Sequence, residues 1–283
     1  MLGQRYEVQG GEDTVAALGA RGIGAATQPA EVAIGGVAHP LDSRSRGAEA
    51  PIGQYVGGEP SLLYLTAKRS LDFLVGLVAL LCLAPLLLVI AVLVLVDSGW
   101  PVFFVQRRVG ARARRGSGRW HWQLRTFPMF KFRTMVTDAD SSSMHREFVA
   151  AFVSGERPDG GASDAPFKLS ADPRVTRMGR WLRATSLDEL PQLINVLAGN
   201  MSLVGPRPVP PYEVAVYDDD SHLARLGGMP GLTGPWQIDG RGVVSFEEMV
   251  RMDVEYLRAQ SLWLDLQLLV RTLPCVFSRK GAK

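Results

Sequence analysis

The sequence has little cysteine and little histidine. Two cysteines, Cys82 and Cys275, are all that 283 residues contain, and each lies in or beside an apolar stretch. Such usage predicts small buried hydrophobes in a reducing compartment and excludes a disulfide-stapled scaffold. Four scattered histidines lack metal-ligand spacing, which excludes a zinc site of the usual kinds. The first 60 residues hold no apolar core behind a charged start, so no secretory signal is expected. No glycine-rich stretch ends in Gly-Lys-Ser/Thr, which excludes a nucleoside-triphosphate loop of that type. Net charge of one sign is also scarce, at +3, and no nucleic-acid partner is expected.

The chain does have arginine, the side chain suited to two-pronged phosphate contacts, and one long apolar run. Residues 1–60 are rich in Gly, Ala and short polar residues without a sustained period and are read as a disordered tail. Lys68 and Arg69 then lead into an uncharged stretch from Phe73 to Val96, long enough to cross a bilayer. Pro85 sits near its middle, where it removes a backbone donor and bends a helix. Both flanks are basic, with Arg107, Arg108, Arg112, Arg114, Arg115 and Arg119 following, and cytoplasmic flanks are the basic ones. A helix that dips into one leaflet at Ala84-Pro85 and returns satisfies both facts; a single-pass anchor is the alternative. The chain thus divides into a tail (1–60), a membrane-anchoring re-entrant helix (61–99) and a cytoplasmic part (100–283).

Within that part, residues 100–135 read as short strands and turns. Residues 137–165 read as a surface excursion with one helix near Met144 to Phe152. Helical period returns over 190–197, 246–260 and 262–277, separated by a Gly/Pro-rich loop over 227–242. The last helix is apolar on much of its surface and suits the core or a membrane interface.

Three clusters carry chemistry. In Arg183-Ala-Thr-Ser186-Leu-Asp188-Glu189-Leu-Pro191, Ser186 and Glu189 have capping-box spacing, which alone explains both. The same helix start also favours phosphate. Adjacent carboxylates there can hold Mg²⁺ against a diphosphate, or one can attack phosphorus. In that reading the dipole and a cation keep the attacking carboxylate ionised. Arg207, held between Pro206 and Pro208, is either a stiff phosphate clamp or a solvent-facing turn residue. The loop from Gly231 to Gly242 permits close backbone approach to a ligand. Asp253 lies on a mixed helix, where exposure is the default.

These pieces in order resemble the bacterial sugar transferase family, the monotopic polyprenyl-phosphate phosphoglycosyl transferases. The matching segments are Lys-Arg-Ser-Leu-Asp at 68–72, the apolar run with Pro85, Gln106-Arg107-Arg108-Val109-Gly110 and Lys131-Phe-Arg-Thr-Met135. They continue with Asp172 to Thr176, Arg183 to Gln192, Asn195 to Leu197, Met201 to Pro208, Pro230 to Gly234 and Gly240-Arg241.

The resemblance implies an α/β, mainly α, fold: a re-entrant membrane helix plus a cytoplasmic catalytic domain with interfacial amphipathic helices. It implies an exopolysaccharide-initiating enzyme of the bacterial inner membrane, with its catalytic part on the cytoplasmic face. That enzyme moves a sugar-1-phosphate from a UDP-sugar to undecaprenyl phosphate and releases UMP. By that resemblance Asp188 is the nucleophile, forming an aspartyl-phosphosugar, and Glu189 assists. Both acids hold Mg²⁺, while Lys131, Arg183, Arg207 and Arg241 contact phosphate and Asp253 is a further functional acid. A homo-oligomer is compatible with this reading. One departure is Ala84, where relatives often carry serine before the proline. A catalytically silent scaffold and a phosphohydrolase using water are the competing readings.

Overall fold

A computed structural model describes residues 62–116, 119–136, 143–155, 172, 174–217, 220–240 and 244–278. The expected disordered tail, most of the excursion at 137–165, and Arg241 lie outside the described residues. What is described is mostly helical with two small sheets.

The apolar run belongs to helix α1, Leu62–Ser98, 37 residues with Pro85 inside it. The helical assignment runs unbroken through Ala84 and Pro85, both of which are exposed. By length and composition α1 can cross a membrane. Its burial, however, is a stripe along its whole length. Lys68, Asp72, Gly76, Ile90 and Val94 are buried, and Ala79, Leu80, Leu83, Leu87 and Ala91 are partly buried between them. These positions recur every three or four residues, as one face of a helix requires. The remaining faces expose Phe73, Leu74, Val78, Leu81, Leu88, Val92 and Val96, among others. Cys82 is on that exposed side, so the expectation that it is buried is corrected; Cys275 is half-buried, and neither forms a disulfide.

Polar contacts hold both ends of α1 to the same body. Lys68 Nζ lies 2.5 Å from Asp265 and 3.1 Å from the Val204 carbonyl. Arg69 donates to the carbonyls of Val196 and Leu197, and Asp72 accepts from Leu203 N and Ser202 Oγ. At the far end Arg133 donates to the carbonyls of Ser98, Gly99 and Trp100, and Asp97 accepts from Met178 N. Lys68 and Arg69 are therefore engaged by protein groups. Their charges do not stand free at the flank as the sequence suggests.

Strands β1 (Phe103–Gly116) and β2 (Arg119–Phe132) form one long antiparallel hairpin, pairing Phe103 with Phe132 at its base. The short strands and turns expected over 100–135 are thus one long pair, although Gly110 and Pro128 disfavour a strand interior. A two-stranded sheet has only edges, so Pro128 interrupts no ladder on its outer side. On that side Asn195 substitutes for a third strand: its Nδ2 donates to the Pro128 carbonyl at 2.7 Å and its Oδ1 accepts from Phe130 N at 3.0 Å.

Helix α2 (Ser143–Ser154) packs Val149 and Val153 into the core with Val109, Trp122, Val214 and Phe246. Helix α3 (Arg177–Thr185) is capped by the Thr176 side chain on Gly179 N. After it come α4 (Gln192–Leu197), β3 (Ser202–Val204), the short helices α5 (Pro211–Val214) and α6 (Asp220–Ala224), and β4 (Gly231–Thr233). The expected glycine- and proline-rich loop thus contains a strand, and also α7 (Pro235–Asp239). β3 and β4 are parallel, and Gly205 and Gly231 meet backbone to backbone beside them. A Cβ on Gly231 would lie 2.1 Å from Gly205 N, so only glycine permits the approach. Helices α8 (Phe246–Ala259) and α9 (Leu262–Ser278) close the chain where the period placed them. α9 buries Asp265 and Leu268 and exposes Leu262, Trp263, Leu266, Val270 and Leu273.

Candidate active site

Three pieces of backbone bring the predicted residues together. The first is the end of β2, which carries Lys131. The second is the turn after α3. Ser186 ends that helix in the left-handed conformation (φ 57°, ψ 16°), uncommon for a residue other than glycine. Its side chain makes no capping bond, so the expected capping box does not form. The chain turns instead into a 3₁₀ turn, Leu187–Glu189, anchored by Leu187 against Phe132 and Leu182. Pro191 then caps α4, where its missing donor has no consequence. The third piece is the Gly205–Pro210 loop. It is fastened to β1 by a bridge in which Val109 N donates to the Val209 carbonyl at 2.7 Å.

In this frame the two adjacent acids have different surroundings. Glu189 Oε1 lies 2.9 Å from Lys131 Nζ and 2.8 Å from Arg207 Nη2. Burial raises its pKa, but Arg207 and Lys131 outweigh burial and hold the carboxyl well below the usual range. Asp188 is buried, yet no hydrogen bond or ion pair engages its carboxylate among the described residues. Burial pushes its pKa up, and Glu189 adds to this, while Lys131, Arg183 and Arg207 pull it down. Burial thus offsets the ionising influence of dipole and cation expected from the sequence. Burial also lowers Lys131, whereas Glu189 keeps Arg207 high. Arg183 donates through Nε to Thr134 Oγ1 at 2.9 Å and faces Asp188 electrostatically.

Asp188, Glu189, Lys131, Arg183 and Arg207 therefore form one cluster. Asp253 makes no direct contact with it. It is fully buried on α8, with Oδ2 2.9 Å from Arg225 Nη2, and Arg225 Nη1 lies 3.7 Å from Glu213. Burial pushes Asp253 up to about 6 against the pull of Arg225. The expectation of an exposed acid is corrected, and the sequence held the signal. Phe246, Met249, Val250, Asp253, Tyr256 and Leu257 are the buried stripe of α8, and position 253 falls on it. Arg225 has no comparable signal.

The donors available to Mg²⁺ are the unengaged Asp188 oxygens and Glu189 Oε2, whose nearest donor is Arg207 Nη1 at 3.5 Å. Among the described residues no three or more His, Cys, Asp or Glu side chains group as a metal site. One or two carboxylates are what a magnesium ion shared with substrate phosphates needs, so the donor set fits such an ion.

The sequence profile of the family described as "Bacterial sugar transferase" matches residues 63–279. The exopolysaccharide production protein ExoY of Rhizobium meliloti (strain 1021) is 41% identical over 217 residues, covering 76% of this chain and 88% of that protein. The undecaprenyl-phosphate glucose phosphotransferase of Komagataeibacter xylinus is 39% identical over 225 residues, 76% of this chain and 36% of that protein. The undecaprenyl-phosphate galactose phosphotransferase of Salmonella typhimurium is 37% identical over 215 residues, 76% and 41% respectively. These last two are much longer proteins, matched by this chain over less than half their length.

Proposed function

The chain belongs to the bacterial sugar transferase family, and from that premise we propose that it transfers a sugar-1-phosphate from a UDP-sugar to undecaprenyl phosphate. The observation that carries the reading is the unequal state of the two acids. Glu189 is held by two cations, and Asp188 is left with a free carboxylate facing a basic cluster. In the proposed reaction an Asp188 oxygen attacks the phosphorus that bears the sugar. The bond from that phosphorus to the bridging oxygen breaks, UMP leaves, and an aspartyl-phosphosugar forms. An oxygen of the lipid phosphate then attacks the same phosphorus, the aspartyl bond breaks, and the sugar diphospholipid departs with Asp188 restored. Lys131, Arg183 and Arg207 supply fixed positive charge where the phosphoryl oxygens gather. Bound Mg²⁺ would neutralise diphosphate charge.

The test is transfer by the full chain in membranes or micelles, using a panel of nucleotide sugars with Mg²⁺. A lipid-linked sugar diphosphate and free UMP are expected from at least one donor. Free sugar phosphate without lipid product would indicate a phosphohydrolase, and inertness with every donor would indicate a scaffold.

The anchoring also belongs to this proposal. We place the protein on the cytoplasmic face of the inner membrane, with α1 entering and leaving through one leaflet. Two findings support this. One body holds Lys68, Arg69 and Asp72 at one end and Asp97 to Trp100 at the other. The outward faces of α1 and α9 expose apolar side chains suited to lipid. A single-pass helix would carry these two ends to opposite sides of a bilayer. In a background lacking Cys82 and Cys275, cysteines at the exposed positions Leu63 and Trp100 should both react with an impermeant thiol reagent from the cytoplasmic side. Labelling from opposite sides would establish a single-pass anchor. Position 68 is unsuitable, because Lys68 is buried against Asp265.

A further inference from the structure

One partly buried cation beside the site has no ion-pair partner among the described residues. Arg108 is on β1, next to the Val109–Val209 bridge that fastens the Arg207 loop. Among the described residues its one hydrogen bond is a long one, Nη1 to the Pro208 carbonyl at 3.5 Å. Its Nε is buried without a partner, and among the described residues no carboxylate approaches within ion-pair distance. Its electrostatic neighbours begin with another cation, Arg207, followed by Glu213, Tyr212 and Glu189. Burial and Arg207 together lower its pKa to about 10. Lys131 also feels Arg108 as a like charge. Of its two acidic neighbours, Glu213 faces Arg225 at 3.7 Å and Glu189 is engaged by Lys131 and Arg207.

A guanidinium that is partly buried, with its Nε enclosed and unpartnered and a like charge beside it, is unfavourable as it stands. The structural arginines of this fold are well satisfied, Arg225 by Asp253 and Arg133 by three backbone carbonyls, and Arg108 is not. Lys131, Arg183, Arg207 and Arg108 are four cations, against Asp188, Glu189 and the Glu213 that acts on Arg108 and Arg207 from outside the cluster, so the cluster favours an incoming anion.

We propose that Arg108 is a phosphate-binding residue of this site, its guanidinium completed by an oxygen of the donor diphosphate or of the lipid phosphate. This rests on the reading of the site as a phosphoryl-transfer centre. It adds a residue that the Asp188–Glu189 cluster does not itself identify.

The test uses the full chain in micelles and follows thermal unfolding against two probes: inorganic pyrophosphate for the donor and dodecyl phosphate for the acceptor. Without either probe, Arg108→Gln should unfold at or above the wild-type temperature, because it removes a partly buried charge that is crowded by Arg207 and has no ion-pair partner among the described residues. With one of them, its half-saturating concentration should rise about tenfold or more, as loss of a charge-assisted contact predicts. Loss confined to pyrophosphate assigns the donor, and loss confined to dodecyl phosphate assigns the acceptor. The KM of the corresponding substrate should rise in parallel. The inference is overturned if the wild type responds to neither probe. It is also overturned if Arg108→Gln binds both within twofold of wild type, or if its only change is a lower unfolding temperature. Should Arg108→Gln fail to fold, Arg108→Lys decides: unchanged stability with weaker binding supports the inference, and unchanged binding overturns it. A wild type that binds pyrophosphate but transfers no sugar phosphate would remove the proposed function and leave this site standing.

Discussion

Asp188→Asn is expected to lower transfer by on the order of 10⁴-fold or more, because it removes the nucleophile and leaves every neighbour in place. Asparagine has nearly the same shape, and no hydrogen bond or ion pair to Asp188 is lost among the described residues. Folding and donor binding should therefore survive. The measurement is UMP release in a single turnover without lipid acceptor, which isolates the first half of the reaction. Near-normal release by Asp188→Asn would remove the assignment. A pH profile provides a second check. Burial raises the Asp188 pKa above that of an ordinary aspartate, and only the carboxylate attacks. Activity should therefore fall as pH drops through a value higher than a solvated aspartate would give.

The second large effect is on stability. Asp253→Ala leaves Arg225, 1% exposed, with Glu213 at 3.7 Å as its remaining acid. Breaking one side of such a buried pair costs about 3–5 kcal/mol, readable by chemical denaturation. Replacing both partners, Arg225→Met with Asp253→Leu, should restore most of that loss, since neither charge is then stranded. A single substitution within about 1 kcal/mol of wild type would sink the argument. If Asp253 contacted substrate instead, KM would change while stability stayed level. The pH dependence follows from the shift. The Asp253 pKa is about 6 in the fold and about 3.9 in the unfolded chain, so the fold binds the proton more tightly. This contribution to stability is full below the unfolded value and is lost as pH rises through about 6. Asp253→Asn should flatten that part of the stability profile.

Local pattern was enough to read some parts of this fold. α8 and α9 follow their apolar period, and Lys131, Arg183, Asp188, Glu189 and Arg207 meet in one cluster as the ordered motifs suggested. What escaped depended on contacts distant in sequence. The length of the hairpin relies on Asn195, which pairs with β2 from across 65 residues and more. The Ser186–Glu189 spacing fits a capping box, but packing of Leu187 draws the turn elsewhere. The burial of Arg225 and the capture of Lys68 by Asp265 join segments that no local period relates.

The manner in which α1 is held has a practical meaning for anyone handling this protein. A conventional membrane tail can be clipped off to free a soluble catalytic fragment. Here Gly76 lies over Val196 and Leu197, and Ile90 and Val94 are walled in with Phe132 and Leu182. Helix α1 is one wall of the house, and cutting it away would uncover the floor beneath the Asp188 turn. A detergent or nanodisc must therefore be chosen to preserve the enzyme's own interior, as well as to keep its greasy surface in solution.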